Sequence, residues 1–276
     1  MTSMFAGGVD VFGLSDVGKK RTTNEDHFVV ATLKKEIALR QSNLADASVF
    51  EGLRGVEAQL LAVADGVGGT AGGQLASRTA VTTLVGYLGK AASVFNNLNV
   101  DQEHEFLEQL ELGVHEAHQQ VREAHGRTSR PPATTLTMVT LVWPRAYIVH
   151  VGDSRAMYLH DGWLRPLTRD QTMGEAMVDA GAMTEEQAAR SSLSQTLYSA
   201  LGAEDMMPSV GLVDFAVGDV LMLCSDGLTK HVSDNRITSI LGQPWTAEMM
   251  TRTLVQEALD GGGSDNVTVI VARMIG

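Results

Sequence analysis

The chain has 276 residues, 44% of them hydrophobic and 20% charged, which suits one domain of above-average size. Its net charge of −12, with only 21 Lys and Arg, argues against a nucleic-acid partner, because that binding depends on neutralising phosphates with cations. No run of 18 apolar residues occurs and the first ten residues lack a charged-then-apolar secretory layout, so no membrane association is expected and a cytoplasmic location is.

In chain order, strand-like runs are predicted over 9–15, 27–33 and 60–64, then helices over 73–88 and 101–124. In the second helix Leu107, Leu110, Val114, Ala117 and Val121 recur at three- and four-residue spacing, an apolar stripe fit to lie on a sheet. Strands follow over 134–142, 146–151 and 156–160, with short helices over 173–180 and 185–189. Strands over 210–215 and 220–224, helices over 233–241 and 246–260, and a strand over 267–272 complete the series, with Gly261, Gly262 and Gly263 closing the last helix. The links 143–145 and 216–219 have hairpin length and favour antiparallel pairing over βαβ winding. Residues 41–55 and 126–132 read as surface loops, and no repeat or linker divides the chain, so 1–276 is expected to be a single domain.

Several chemistries are disfavoured at once. The single cysteine, Cys224, lies in an apolar run where a small buried residue is expected, and the sixth residue after it is Lys230 rather than the arginine of a cysteine phosphatase loop. Gly66, Gly68 and Gly69 after an apolar run mimic a dinucleotide fingerprint, yet no acidic residue occurs between Gly72 and Val100. A P-loop is absent. His115 and His118 lie three apart on a helix without a third ligand, and His104, His125 and His160 sit in polar contexts, so surface positions are expected.

Four aspartates border strand-like runs beside small or polar residues: Asp65 before Gly66, Asp153 before Ser154, Asp226 before Gly227, and Asp265 before Asn266. Any one would be an ordinary turn former, but four alike suggest distant strand ends meeting at one place. Carboxylates are hard oxygen donors, and with no cysteine or histidine cluster they select Mg²⁺ or Mn²⁺ over Zn²⁺. Such a cluster repels a phosphate dianion unless divalent ions reverse the local sign, so a phosphate site here requires metal.

The stretches Arg21 to Asp26 (RTTNED), Ala64 to Gly69 (ADGVGG), Thr134 to Thr137 (TTLT), Val151 to Arg155 (VGDSR), Leu167 to Asp170 (LTRD), Cys224 to Thr229 (CSDGLT) and Ser264 to Thr268 (SDNVT) follow one another in an order that resembles the metal-dependent protein phosphatases of type 2C, in their short bacterial form. The resemblance spans essentially the whole chain. It implies an α+β fold, a four-layer α/β/β/α sandwich with two mainly antiparallel sheets between helices. It also implies hydrolysis of phosphoserine and phosphothreonine by in-line attack of a water bridging two Mn²⁺ or Mg²⁺ ions. Asp65 would bridge the two, the Gly66 carbonyl would bind one, Asp226 and Asp265 would complete the other's shell, and Asp153 would hold a third, weaker ion. Arg21 would clamp the phosphate, Glu25 would act through metal-bound water, and Asp26 would support the shell. Glu25 and Asp26 are read as strand neighbours pointing to opposite faces. Val67 stands where animal members place a histidine, so the leaving-group acid is unassigned. Residues 172–205 resemble the family's flap. The expected partners are phosphorylated proteins, among them a bacterial Ser/Thr kinase and its substrates, acted on by a monomer. A catalytically silent phosphoprotein-binding module is the competing class, and loss of a metal ligand would signal it.

Overall fold

The computed structural model of the chain describes residues 8–36, 54–67, 71–91, 100–124 and 131–276. Two five-stranded antiparallel sheets form its centre. One contains β1 (Gly8–Asp16), β8 (Arg155–His160), β9 (Trp163–Pro166), β11 (Val220–Cys224) and β12 (Val267–Ile275), in the order β1-β12-β11-β8-β9. The other contains β2 (His27–Glu36), β3 (Arg54–Ala64), β6 (Leu136–Val142), β7 (Arg145–Val151) and β10 (Ser209–Asp214), in the order β10-β7-β6-β3-β2. A two-residue pair, β4 (Gly66–Val67) with β5 (Ala133–Thr134), stands apart.

The alternation of side chains along each strand explains the layering. In β11, Leu221 and Leu223 join Leu61, Val63, Val139 and Ile270 in the core between the sheets, while Met222 and Cys224 face the other way. There they meet Ile237 and Leu241 of α6 (Asp234–Leu241) and Met250 and Leu254 of α7 (Ala247–Asp260). On the opposite flank, Leu84 and Leu88 of α1 (Ala71–Ala91) and Leu110, Val114 and Val121 of α2 (Val100–Glu123) cover Leu60, Met138 and Tyr147. The predicted α2 stripe is thus the buried one, and the four-layer α/β/β/α order is the one observed. Strands covered on both faces read as continuous apolar runs, and each enclosed Leu or Val contributes about 1.5–3 kcal/mol relative to exposure.

All nine predicted strand runs are present, with three corrections. The 134–142 run breaks at Thr135, whose neighbours pair with different partners. A further strand, β9, pairs with β8 through Asp161 (φ 49°) and Gly162 (φ 80°), the paired positive φ values of a type I′ hairpin; only four residues long and with Trp163 71% exposed, it lacks an apolar alternation. The 143–145 link is the β6–β7 hairpin, but 216–219 carries the chain from one sheet to the other, because β10 pairs with β7 and β11 with β8 and β12. Asp219 organises that crossing: its carboxylate accepts from the Ala216 N–H at 2.7 Å and the Tyr158 hydroxyl at 3.2 Å and pairs with His160 Nδ1 at 2.8 Å. Ser233 and Thr246 are N-caps, so their helices start one residue later than predicted. Residues 41–53 and 126–130 of the predicted loops lie outside the described residues, while Arg54 and Gly55 belong to β3.

Candidate metal and phosphate site

Strand ends from both sheets meet at one edge of the sandwich. Asp65 follows β3, Asp153 follows β7, Asp226 follows β11 and begins the single turn α5 (Asp226–Thr229), and Asp265 precedes β12. A cleft of about 220 Å³ is lined by these four with Arg21, Glu25 and Gly66, seven of the eight residues proposed from sequence. Asp26 is outside the lining and buried, its Oδ2 accepting from the hydroxyls of Ser225 at 2.8 Å and Thr268 at 2.7 Å. Glu25 and Asp26 precede β2 rather than lying on it, so strand alternation does not govern them.

The short motifs hold these carboxylates by hydrogen bonding and close approach. Thr135 Oγ1 accepts from the Asp65 N–H at 2.9 Å, the Thr134 hydroxyl donates to the Asp65 carbonyl at 2.8 Å, and Thr135 and Ser154 hydroxyls meet at 2.7 Å, linking the Asp65 and Asp153 turns. Gly66 passes so near α1 that a Cβ would stand 2.5 Å from the Gly73 carbonyl, and a Cβ on Gly227 would stand 1.9 Å from the Asn266 carbonyl oxygen. Asn266 ties the Arg21 segment down: its Nδ2 donates to the carbonyls of Val17 and Thr23 at 2.9 and 3.0 Å, and its Oδ1 accepts from the Glu25 N–H at 2.8 Å.

Charge is concentrated here. Burial, then the charges of Asp26, Asp226 and Asp153, push the Asp65 carboxyl well above the usual range. Burial and Asp226 raise Asp153 to about 7. Burial raises Asp26 to about 6 against the opposing Thr268 and Ser225 hydrogen bonds. Asp226 is likewise raised by burial, opposed by Lys230. Asp265 alone is lowered: burial acts to raise it, but the Arg21 and Lys230 hydrogen bonds outweigh that. Arg21 grips Asp265 as a fork, Nε to Oδ1 at 2.8 Å and Nη2 to Oδ2 at 3.0 Å, while Lys230 Nζ lies 2.6 Å from Asp226 Oδ2 and 2.8 Å from Asp265 Oδ2.

With these oxygens turned toward the two cations, no group of three or more Asp, Glu, His or Cys among the described residues has its donors gathered on one point. The donor chemistry nevertheless fits a hard divalent ion. Every acid lining the cleft offers oxygen, no histidine or cysteine among the described residues lines it, and Asp226 Oδ1 and Asp26 Oδ1 are buried without a hydrogen-bond partner. Repulsion among the carboxylates is what such an ion relieves.

Residues 39–261 match the family described as Protein phosphatase 2C. The chain belongs to the protein phosphatase 2C family. It is similar to the serine/threonine protein phosphatase PstP of Mycobacterium tuberculosis, 34% identical over 234 residues that cover 83% of this chain and 42% of PstP. The chain thus spans about two fifths of the length of that relative. Protein phosphatase PhpP of Streptococcus pneumoniae is 30% identical over 266 residues, covering 95% of this chain and 96% of PhpP. A crystal structure of the PstP catalytic domain in complex with two manganese ions superposes with a TM-score of 0.74 at 30% identity, covering 97% of this chain and 99% of that one.

Some features of this 2C-family site escape a sequence reading. Lys230 enters the cleft because it lies four residues after Asp226, one helical turn on, a spacing that could have flagged it. Asn266 belongs to a quoted motif, but its positioning role needs the three backbone groups it reaches. The flap region holds α3 (Met173–Asp179), α4 (Glu185–Ala189) and a 3₁₀ turn (Ser192–Gln195), and brings Gln195 and Leu197 to the cleft. Its N-terminal end is anchored by the Arg155–Asp170 fork at 2.8 and 2.7 Å. Contrary to expectation, His118 is buried, its Nδ1 accepting from the Gly202 N–H at 3.1 Å. Cys224 is buried, as expected, and burial raises its thiol to about 12. His125 lies outside the described residues.

Proposed function

We propose that the protein is a metal-dependent serine/threonine phosphatase, its residues 1–276 acting as one catalytic domain and as a monomer. Phosphorylated proteins in the cytoplasm are its substrates, and it reverses a Ser/Thr protein kinase. The observation that carries the reading is the meeting of Asp65, Asp153, Asp226 and Asp265 from both sheets in one cleft with Arg21. Asp65, the Gly66 carbonyl, Asp226 and Asp265 would hold two Mn²⁺ or Mg²⁺ ions, and Asp153 a third. When bound, the ions supply positive charge for the phosphate and an acidified water for hydrolysis. Arg21 releases part of its grip on Asp265 to fork two phosphate oxygens, a geometry that suits a planar guanidinium. Glu25 stands beside Gly66 and Gly73, where its carboxylate can orient water at the cleft wall. Asp26 holds the β11 and β12 ends together through Ser225 and Thr268. No helix among the described residues is long and apolar enough to cross a membrane.

The test is hydrolysis of a phosphothreonine peptide with Mn²⁺, with chelator, and by Asp226→Asn. Turnover that needs Mn²⁺ and falls roughly 10²-fold or more in the variant is expected. A folded protein that binds Mn²⁺ yet shows no turnover would instead be a phosphoprotein-binding module.

A further inference from the structure

The geometry points to Lys230 as a built-in competitor for the metal site, an ammonium that holds Asp226 and Asp265 together and must be displaced before a divalent ion can use them. The inference rests on the metal-site reading above. Lys230 Nζ is within 2.8 Å of one oxygen of each carboxylate, so it bridges the two chain segments that would share an ion. An ammonium and a divalent ion cannot occupy the same oxygens, and Lys230 is joined to its site by a flexible four-carbon stem that lets it swing away. Arg21 differs, since its hydrogen-bonded fork grips Asp265 without bridging to Asp226, and its planar guanidinium suits phosphate. Position 230 follows α5 as its C-cap, and the Lys230 N–H donates to the Asp226 carbonyl at 3.0 Å, so the backbone fixes where the ammonium can reach. Two consequences follow. Metal affinity is weaker than the carboxylates alone would give, and the carboxylates stay held together when divalent ions are scarce.

The experiment is calorimetric titration of the whole chain with Mn²⁺, comparing wild type with Lys230→Met and Lys230→Gln. Lys19→Met, which removes one positive charge beside the exposed Asp260 at 3.7 Å, is the control. Both Lys230 variants should bind Mn²⁺ more tightly, on the order of tenfold, with the control within about twofold of wild type. In chelator the Lys230 variants should melt a few degrees lower than wild type, and in Mn²⁺ their melting shift should be larger. Equal affinities for wild type and both Lys230 variants would overturn the inference while leaving the phosphatase reading intact. An equal gain in the Lys19 control would overturn it too, by reducing it to net charge. Failure of wild type and of both Lys230 variants to bind Mn²⁺ would overturn both.

Discussion

Asp26 is enclosed, with one oxygen accepting from two hydroxyls and the other lacking a partner. Its folded pKa, about 6 against 3.8 ordinarily, is raised, so its contribution to stability is complete below 3.8 and is lost as pH rises through 6. Asp153, raised to about 7, acts in the same direction. In chelator these carboxyls therefore tilt the melting temperature upward as pH is lowered from 7 to 5, against the buried His150, whose lowered pKa acts in the opposite direction. Asp26→Asn should flatten that slope and stabilise the chelated protein at pH 7 by about 2 kcal/mol, since an amide keeps the acceptor and loses the buried charge. Arg21→Ala should lower kcat/KM roughly 10²-fold, with Arg21→Lys recovering only part because one fork is lost; steady-state kinetics on a phosphopeptide decides. The aspartates were legible because Asp beside Gly, Ser or Asn at a strand end is a local pattern. Asn266 and the buried His118 were not, since what each does is defined by partners brought near only by folding, 249 and 84 residues away; Lys230 was half legible, its spacing from Asp226 being local and its contact with Asp265, 35 residues on, being made only by the fold.

The 216–219 crossing shows the limit of link length as a guide at the level of elements. Four residues serve equally for a hairpin or for a step between sheets, and only strand pairing decides. Asp219→Ala removes the acceptor for Ala216, Tyr158 and His160 and should cost about 2–4 kcal/mol in denaturant unfolding. His160, raised above its ordinary value by Asp219, adds stability below pH 6.5 that is lost above it. The flap region depends on a close contact, because a Cβ on Gly174 would lie 3.1 Å from the Ser194 amide nitrogen. Gly174→Val should push the 3₁₀ turn and Gln195 away from the cleft, raising KM for a phosphopeptide about threefold or more with a smaller change in kcat. The helices were well placed from periodicity and capping residues, whereas β9 was missed because an exposed edge strand needs no apolar alternation.

At the scale of the molecule, the four layers follow from apolar runs on both sheets and one-faced stripes on the helices, but their order was legible only through family resemblance. Mn²⁺ at a hundred times its Kd should add about 2.7 kcal/mol, a rise in melting temperature of roughly 5–10 °C that Asp226→Asn abolishes. The two sheets contribute carboxylates separately: Asp65 from one, Asp226 and Asp265 from the other, with Asp153 on the segment between them. β12, the last strand, lies between β1 and β11, so the sheet bearing Asp226 and Asp265 remains split until that strand is inserted. Asp65, Asp153 and Asp226 are thus synthesised before the strand that joins their cleft, and the four carboxylates cannot be brought together until β12 has been made and has slotted between its neighbours.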